Sequence, residues 1–410
     1  MEDLVKYMAP VIPFDINIIK SGKGNYLYTT TGKKILDLNS GQFCTVFGHS
    51  NEALSKVIEE NARTLQHTCS SCLAESVLKA AKKLNQISGE LDARTLFLST
   101  GSEAVETCLR YAKHITSRDG VICFANGYHG LSLGAQGITF SGIYSRPRVA
   151  SVYGIKPPNN VEEVGEALDK LKEILKRHGN KIAVMLVEPI VSVGGLIYPP
   201  FVFFEKAKKI LDEYGVLLAF DESQTGFGRT GKWFAYQHMK CVPDFVICSK
   251  AMGLGYPVAA LLFNGKLVDN TEITMTHYSS HQNDPLAGDI VQFEIDHFIE
   301  NNLIERIISL GEYFLKKLQM LEKRCAYFDN ARGIGLMLGL DFKIPKVEDY
   351  RPIYKKFHDI AENNGVLLQA TDGGRVLRFL PSYLTTESEV DFCVEMLEKT
   401  YMEIFETGNK

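Results

Sequence analysis

Five short apolar runs recur between residues 95 and 248, each ending at a polar or glycine-rich turn: Thr95 to Leu98, Val121 to Phe124, Ile182 to Val187, Val216 to Phe220 and Phe245 to Cys248. They are too short for buried helices and too uniformly apolar to keep one face in water. They read as strands of a parallel sheet covered on both sides. Helix-like stretches lie between them. After the first run, Thr100 and Glu103 have capping-box spacing, and Val105, Cys108, Leu109 and Ala112 follow at helical period. Repetition of this unit from about residue 50 to 290 predicts an open α/β sheet, in which ligands bind beyond the carboxyl ends of the strands.

Beyond Ala287 the pattern changes. Helical stretches over 290–300 and 302–323 lead to a strand-like Gly335 to Asp341, another helix and the short Val376 to Leu380, which reads as a separate α+β lobe. Near the N-terminus, Asn25 to Thr29 and Lys34 to Leu38 are strand-like with Thr-Gly punctuation, and are expected to pack with that lobe. The expected organisation is an N-terminal segment (1–45) joined to the small domain, a large domain (46–290) and a C-terminal small α+β domain (291–410). With 410 residues, 45 % apolar and 23 % charged, the chain has enough material for two or three such units and is not a disordered polymer.

Forty-five basic against forty-nine acidic side chains, with no concentrated Lys/Arg block, argue against nucleic acid as a partner. No run approaches about 18 apolar residues, and the opening MEDLVKYMAP lacks the charged and apolar regions of a leader. No membrane partner is expected, and the expected location is cytoplasmic. Nine cysteines at irregular spacing read as reduced, mostly buried thiols. Cys69 and Cys72 form a CxxC, but with no second pair or His cluster at zinc-like spacing, no metal is expected there.

The strand ends carry the chemistry. Ser99-Thr100-Gly101-Ser102 opens a helix whose N-terminus suits a phosphate, with Ser102 adding a hydroxyl. Tyr128-His129 places a ring and an imidazole at the next end, and Glu188 follows Val187. Asp221-Glu222-Ser223-Gln224 follows Phe220, and Ser249-Lys250 follows Cys248. Singly, each has an ordinary structural explanation: a capped turn, a packing ring, a hydrogen-bonded carboxylate. A lysine at a buried strand end is less ordinary, because burying its charge is costly unless it is paired or covalently modified. Together they meet the needs of pyridoxal 5'-phosphate: a phosphate cradle, a stacking ring, a carboxylate for the pyridinium nitrogen and a Schiff-base lysine. A nicotinamide reading fits worse, since no strand leads into a full GxGxxG with an acidic residue about 20 further on.

The segments FLSTGSEAVE, FANGYHG, VEPIVSVGG, AFDESQTGFGRTG, PDFVICSKAMGLGYP, SSHQNDPLAG, RGIGLMLGL and VLRFLPS occur in this order. In this the chain resembles the class III aminotransferases, a fold type I pyridoxal-phosphate family, over about residues 25 to 395. The resemblance implies a mostly parallel seven-stranded large domain, a smaller α+β domain formed by both termini, and a homodimer with its active site at the subunit interface. Amino acids and 2-oxo acids are the implied substrates. Lys250 is implied as the Schiff-base lysine and Asp221 as the holder of the pyridinium proton. Gly101 and Ser102 would bind phosphate and Tyr128 would stack on the ring, with His129 and Glu188 in the same cofactor site. Gln224 would approach the phenolic oxygen, Ser280 of the partner subunit would complete the phosphate site, and Arg378 would clamp the substrate carboxylate.

Two departures bear on substrate. Many members acting on ω-amino acids or glutamate have Arg where Leu131 stands, and often Glu where Val193 stands, a gate that neutralises the carboxylate-binding arginine. Lacking both, the chain is expected to use an α-amino acid with a neutral side chain, by a ping-pong route. NSGQFCTVFGH and SHQNDPL look most like dialkylglycine decarboxylases, with Gln42 matching the glutamine that holds the scissile carboxylate. Tyr128 and Val193 depart from that group's Trp and Ser. Its alkali-metal site would map to Thr68, Ser70, Ser280, Gln282 and Asp284, with Thr68 and Gln282 differing in type. Decarboxylation-dependent transamination and racemisation are the alternatives to simple transamination.

Overall fold

The apolar runs become the middle of a seven-stranded sheet in the computed structural model of the chain, which describes residues 2–9, 11, 17–140, 151–272 and 276–406. Residues 141–150 and 273–275, expected in the large domain, lie outside the described residues. In chain order the strands are β1 Ile19–Lys23, β2 Tyr26–Thr29, β3 Lys34–Asp37, β4 Arg94–Leu98, β5 Gly120–Phe124, β6 Val152–Ile155, β7 Ile182–Val187 and β8 Leu217–Asp221. There follow β9 Phe245–Cys248, β10 Ala259–Phe263, β11 Phe328–Ile334, β12 Met337–Phe342, β13 Val366–Leu367, β14 Gln369–Thr371 and β15 Val376–Phe379.

The large sheet has the order β4-β10-β9-β8-β7-β5-β6 and is parallel except at β10, which runs antiparallel to both neighbours. Alternation along the strands divides the core in two. Val121, Cys123, Phe245 and Ile247 face one cluster, while Ile122, Phe124, Val246 and Cys248 face the other. The helix Gly101–Thr116 covers the first face with Val105, Cys108, Leu109 and Ala112, the residues its period picked out, together with Ala104. Each fully buried Leu, Val or Phe is worth about 1.5–3 kcal/mol, so the sheet is a stiff base for irregular loops at its edge. β6 and β10 are additions to the five expected strands. β6 is only partly buried and shows no continuous apolar run. β10 is wholly apolar, but it returns antiparallel after Lys250, where a purely parallel reading has no place for it.

Two four-stranded sheets complete the molecule, ordered β1-β2-β3-β13 and β11-β12-β15-β14. Val366 of β13 pairs with Leu36 of β3, so N-terminal and C-terminal segments share one sheet. The strand expected at 335–341 starts at Met337, because Gly335 (φ 55) and Leu336 form the turn from β11, and the Leu336 N–H donates to the Arg229 carbonyl at 2.9 Å. The helix Pro285–Glu300 runs across residues 290 and 291 and packs on helices Glu52–Thr64 and Glu75–Ser88. No described helix is long and apolar enough to cross a membrane. Six cysteines are buried, Cys44 is half-buried, and Cys69 and Cys72 are exposed free thiols.

Candidate active site

β4 and β9 both run antiparallel to β10, so β4, β5, β7, β8 and β9 end at one edge of the large sheet. Above that edge lies a cavity of about 1450 Å³, closed on its other side by β14, β15 and the segment 42–44. Every site residue nominated from sequence lines it except Ser280.

Asp221, the last residue of β8, is buried at the floor. His129 Nδ1 lies 2.8 Å from its Oδ2, and the Ser223 N–H donates to Oδ1 at 3.1 Å. Burial by itself would raise the carboxyl pKa. The His129 hydrogen bond and charge, the Ser223 donor and the Lys250 charge outweigh burial and hold it below the usual carboxylate range. His129 is buried, and its Nε2 has no protein partner. Glu188 accepts from the Tyr128 N–H (3.0 Å) and the Ser192 N–H (3.1 Å) and thereby ties two strand-end loops together. Burial, reinforced by the nearby Asp221 charge, pushes its carboxyl up to about 7.

The β4 end forms an anion cradle. Thr100 caps the helix by accepting from the Glu103 N–H at 3.2 Å, while Glu103 Oε2 accepts from the Ser99 N–H at 2.9 Å. A helix start leaves its first N–H groups without intrahelical partners, so those of Gly101 and Ser102 are suited to an anion. A Cβ on Gly101 would come within 2.7 Å of Ser249 Oγ, so any larger residue would have to push that hydroxyl aside.

Lys250 begins a 3-10 turn after β9 with φ 52, a left-handed conformation that is uncommon for a side-chain-bearing residue. Strain of this kind persists where surrounding packing over-determines it. Burial lowers the pKa of its ammonium, against the opposing pull of Asp221.

Sequence reasoning missed how the opposite wall is built. Arg378 on β15 sits directly across from Gln369 on β14. Its Nη2 donates to Gln369 Oε1 at 3.1 Å, and its Nη1 donates to Ser192 Oγ at 3.0 Å. Ser192 Oγ in turn donates to Gln224 Oε1 at 2.7 Å, and Gln369 Nε2 donates to Gln42 Oε1 at 3.2 Å. The guanidinium also lies 4.6 Å over the Phe43 ring. Gln42, Gln369, Arg378, Ser192 and Gln224 thus form one hydrogen-bonded chain across the cavity. Gln369 lies on a strand with no legible pattern. Ser192 stands inside VEPIVSVGG, where the reading attended to Glu188 and Val193.

Ser280 is exposed, on a turn outside the cavity of its own chain. The segment 67–72 is held to that turn by Ser70 Oγ, which donates to the Ser279 carbonyl at 3.1 Å.

Residues 9–401 match the family model "Aminotransferase class-III". The chain belongs to the class III aminotransferases. It is 32 % identical over 383 residues to an acetylornithine aminotransferase of Archaeoglobus fulgidus, covering 93 % of this chain and 94 % of that one. It is 27 % identical over 417 residues to an alanine/serine racemase of Pyrococcus horikoshii, covering 96 % and 86 %. Among solved structures, an amine transaminase from an uncultivated Pseudomonas species in its PLP-bound form superposes with a TM-score of 0.90 at 26 % identity, covering 97 % of this chain and 98 % of that one. The protein is therefore a pyridoxal-phosphate enzyme of aminotransferase type, with amino-acid and 2-oxo-acid chemistry. Its residues fit that cofactor: a cradle a Cβ would fill, a buried Asp221 kept anionic and a lysine of lowered pKa share one cavity.

Proposed function

We propose that this enzyme transfers the amino group of an α-amino acid with a neutral side chain to a 2-oxo acid in two half-reactions. The observation that carries the reading is the seat of Arg378, whose guanidinium donates to two neutral oxygens, Ser192 Oγ and Gln369 Oε1. A guanidinium oriented by Ser192 and Gln369 in the cavity wall presents a fixed positive charge and a planar fork suited to bidentate contact with a substrate carboxylate. Val193 lines the cavity where related enzymes carry a gating Glu.

When bound, pyridoxal phosphate supplies an aldehyde for the amine and an electron-withdrawing ring. Gly101 and Ser102 would hold its phosphate, joined by Ser280 of the partner subunit in a homodimer. Tyr128 would cover its ring and Gln224 would approach its phenolic oxygen. Asp221, oriented by His129, would keep a proton on a basic ring nitrogen. Arg378 fixes the substrate carboxylate at the opposite wall. Lys250 Nζ, with its proton affinity lowered by burial, takes the proton from the substrate α-carbon and returns it elsewhere.

Gln42 favours a second reading, decarboxylation-dependent transamination, because it lines the cavity and its Oε1 accepts from Gln369 Nε2, the neighbour of Arg378. The distinguishing experiment mixes holoenzyme with 2-aminoisobutyrate, then separately with neutral L- and D-amino acids, ornithine, acetylornithine and 4-aminobutyrate. Oxo-acid formation from neutral L-amino acids, without carbon dioxide from 2-aminoisobutyrate, is the expected result. Faster turnover of acetylornithine, the substrate in the name of an Archaeoglobus relative, would overturn the neutral-side-chain assignment. Carbon dioxide release would establish the second reading, and enantiomer exchange without an oxo acid would establish racemisation.

A further inference from the structure

Two loops outside the cavity meet at one surface point. His67 follows the helix Glu52–Thr64, and His281 lies in the turn before the helix Pro285–Glu300. Both direct Nδ1 at the carboxylate of Asp284, His67 at 2.6 Å from Oδ1 and His281 at 2.5 Å from Oδ2. The two rings are 4.8 Å apart between centroids, and one ligand-type atom from each of the three residues falls within 4.8 Å of the others. One shared cation would use all three donors.

We propose that His67, His281 and Asp284 bind one divalent transition-metal ion of the zinc, cobalt or nickel kind. Two imidazole nitrogens with one carboxylate oxygen select such ions over magnesium, calcium or alkali ions, which prefer all-oxygen shells. Bonds of about 2.0–2.2 Å need only small rotations of these side chains. The carriers are already fixed. Ser70 Oγ ties the first loop to the Ser279 carbonyl at 3.1 Å, and the Ser279 N–H donates to Gln282 Oε1 at 3.1 Å. The Asn283 N–H donates to the Phe97 carbonyl at 3.0 Å, and the Phe97 N–H donates to Asn283 Oδ1 at 3.1 Å, which anchors the turn to β4. In the single chain the His67 and His281 side chains are 46 % and 63 % exposed, which leaves the remaining coordination positions to water or to a group of the partner subunit. The inference does not depend on the reaction proposed above.

The test is calorimetric titration of chelator-treated holoenzyme with zinc chloride, repeated on His67→Ala, His281→Ala and the Cys69→Ser/Cys72→Ser double variant. Unchanged circular dichroism and thermal unfolding certify the variants as folded. The expected result is one ion per chain, with affinity reduced about tenfold or more by each histidine change and retained in the cysteine variant. Absence of a stoichiometric site, or binding indifferent to both histidine changes, would overturn the proposal. So would a site lost in the cysteine variant alone.

Discussion

The floor and the far wall of the cavity treat charge in opposite ways. At the floor, Asp221 is an anion compensated from within the chain, by His129, the Ser223 N–H and Lys250. At the wall, Arg378 is a cation resting on the neutral oxygens of Ser192 and Gln369 and on the face of Phe43. The floor holds its charge with opposite charge, and the wall aims its guanidinium with hydrogen bonds to Ser192 and Gln369, as suits a group proposed to receive a substrate carboxylate. Changes at the floor should therefore act on kcat, and changes at the wall on KM.

The largest effect is expected at the floor. Lys250→Ala removes the group that moves the α-proton, and we expect kcat to fall by about a thousandfold or more, in line with loss of a positioned general base. Single-turnover kinetics with a neutral amino donor measure it. Turnover near the wild-type rate would remove Lys250 from the reaction and collapse the contrast. Next, Arg378→Met deletes a charge-assisted contact worth about 1.5–3 kcal/mol, a rise in KM of roughly 10- to 150-fold, with a smaller change in kcat.

Gln369→Glu is a sharper probe because it keeps the shape of the wall while adding a negative charge beside Arg378 and removing the donor to Gln42. A carboxylate facing Arg378 across the β14–β15 pair competes with the substrate carboxylate. We expect KM for α-amino acids to rise about tenfold, while an amine lacking a carboxylate is unaffected. Equal effects on both substrates would mean that Gln369 acts by shape, and that the wall does not read charge.

The two regions also differed in how readable they were. Asp221 and Lys250 stand one or two positions beyond uniformly apolar runs, so the strand pattern itself placed them at one edge. The position of Arg378 was legible only through resemblance, since Val376 to Leu380 is a short strand in a lobe with weak periodicity. Its partners were not legible at all. Gln369 belongs to a three-residue strand, and its pairing with Arg378 depends on a long-range register that no local signal encodes. β10 escaped because its direction is set by the sheet and not by its own residues. Ser280 lies outside the cavity of its own chain, and the resemblance alone assigns it to the partner subunit's site.

The smallest expected effect concerns stability, and it separates carboxylates within the floor. Glu188 and Glu222 are both buried, and burial pushes each up to about 7. Glu188 faces the cavity, whereas Glu222 lies behind it, accepting from the Ala235 and Tyr236 N–H groups at 2.7 and 2.8 Å. Unfolded, both titrate near 4.3. Between about pH 4.5 and 7 the folded chain therefore binds more protons than the unfolded one, and stability falls as pH rises through that window, then levels off. Asp221 has the opposite sign, but its contribution is lost only as pH falls below the ordinary carboxylate range, so it does not enter the same window. Each raised carboxyl can contribute about 1–3 kcal/mol, which for a chain of this size is a drop of several degrees in Tm between pH 5.5 and 7.5. Thermal unfolding at several pH values measures the slope, and Glu188→Gln should make it shallower, with Glu222 and the buried Glu294 supplying the remaining fall against the opposing pull of His238, His277 and His297, which burial lowers. A Tm that is flat or rising over this window would show that both carboxylates stay ionised, and that the floor compensates all of its anions as it does Asp221.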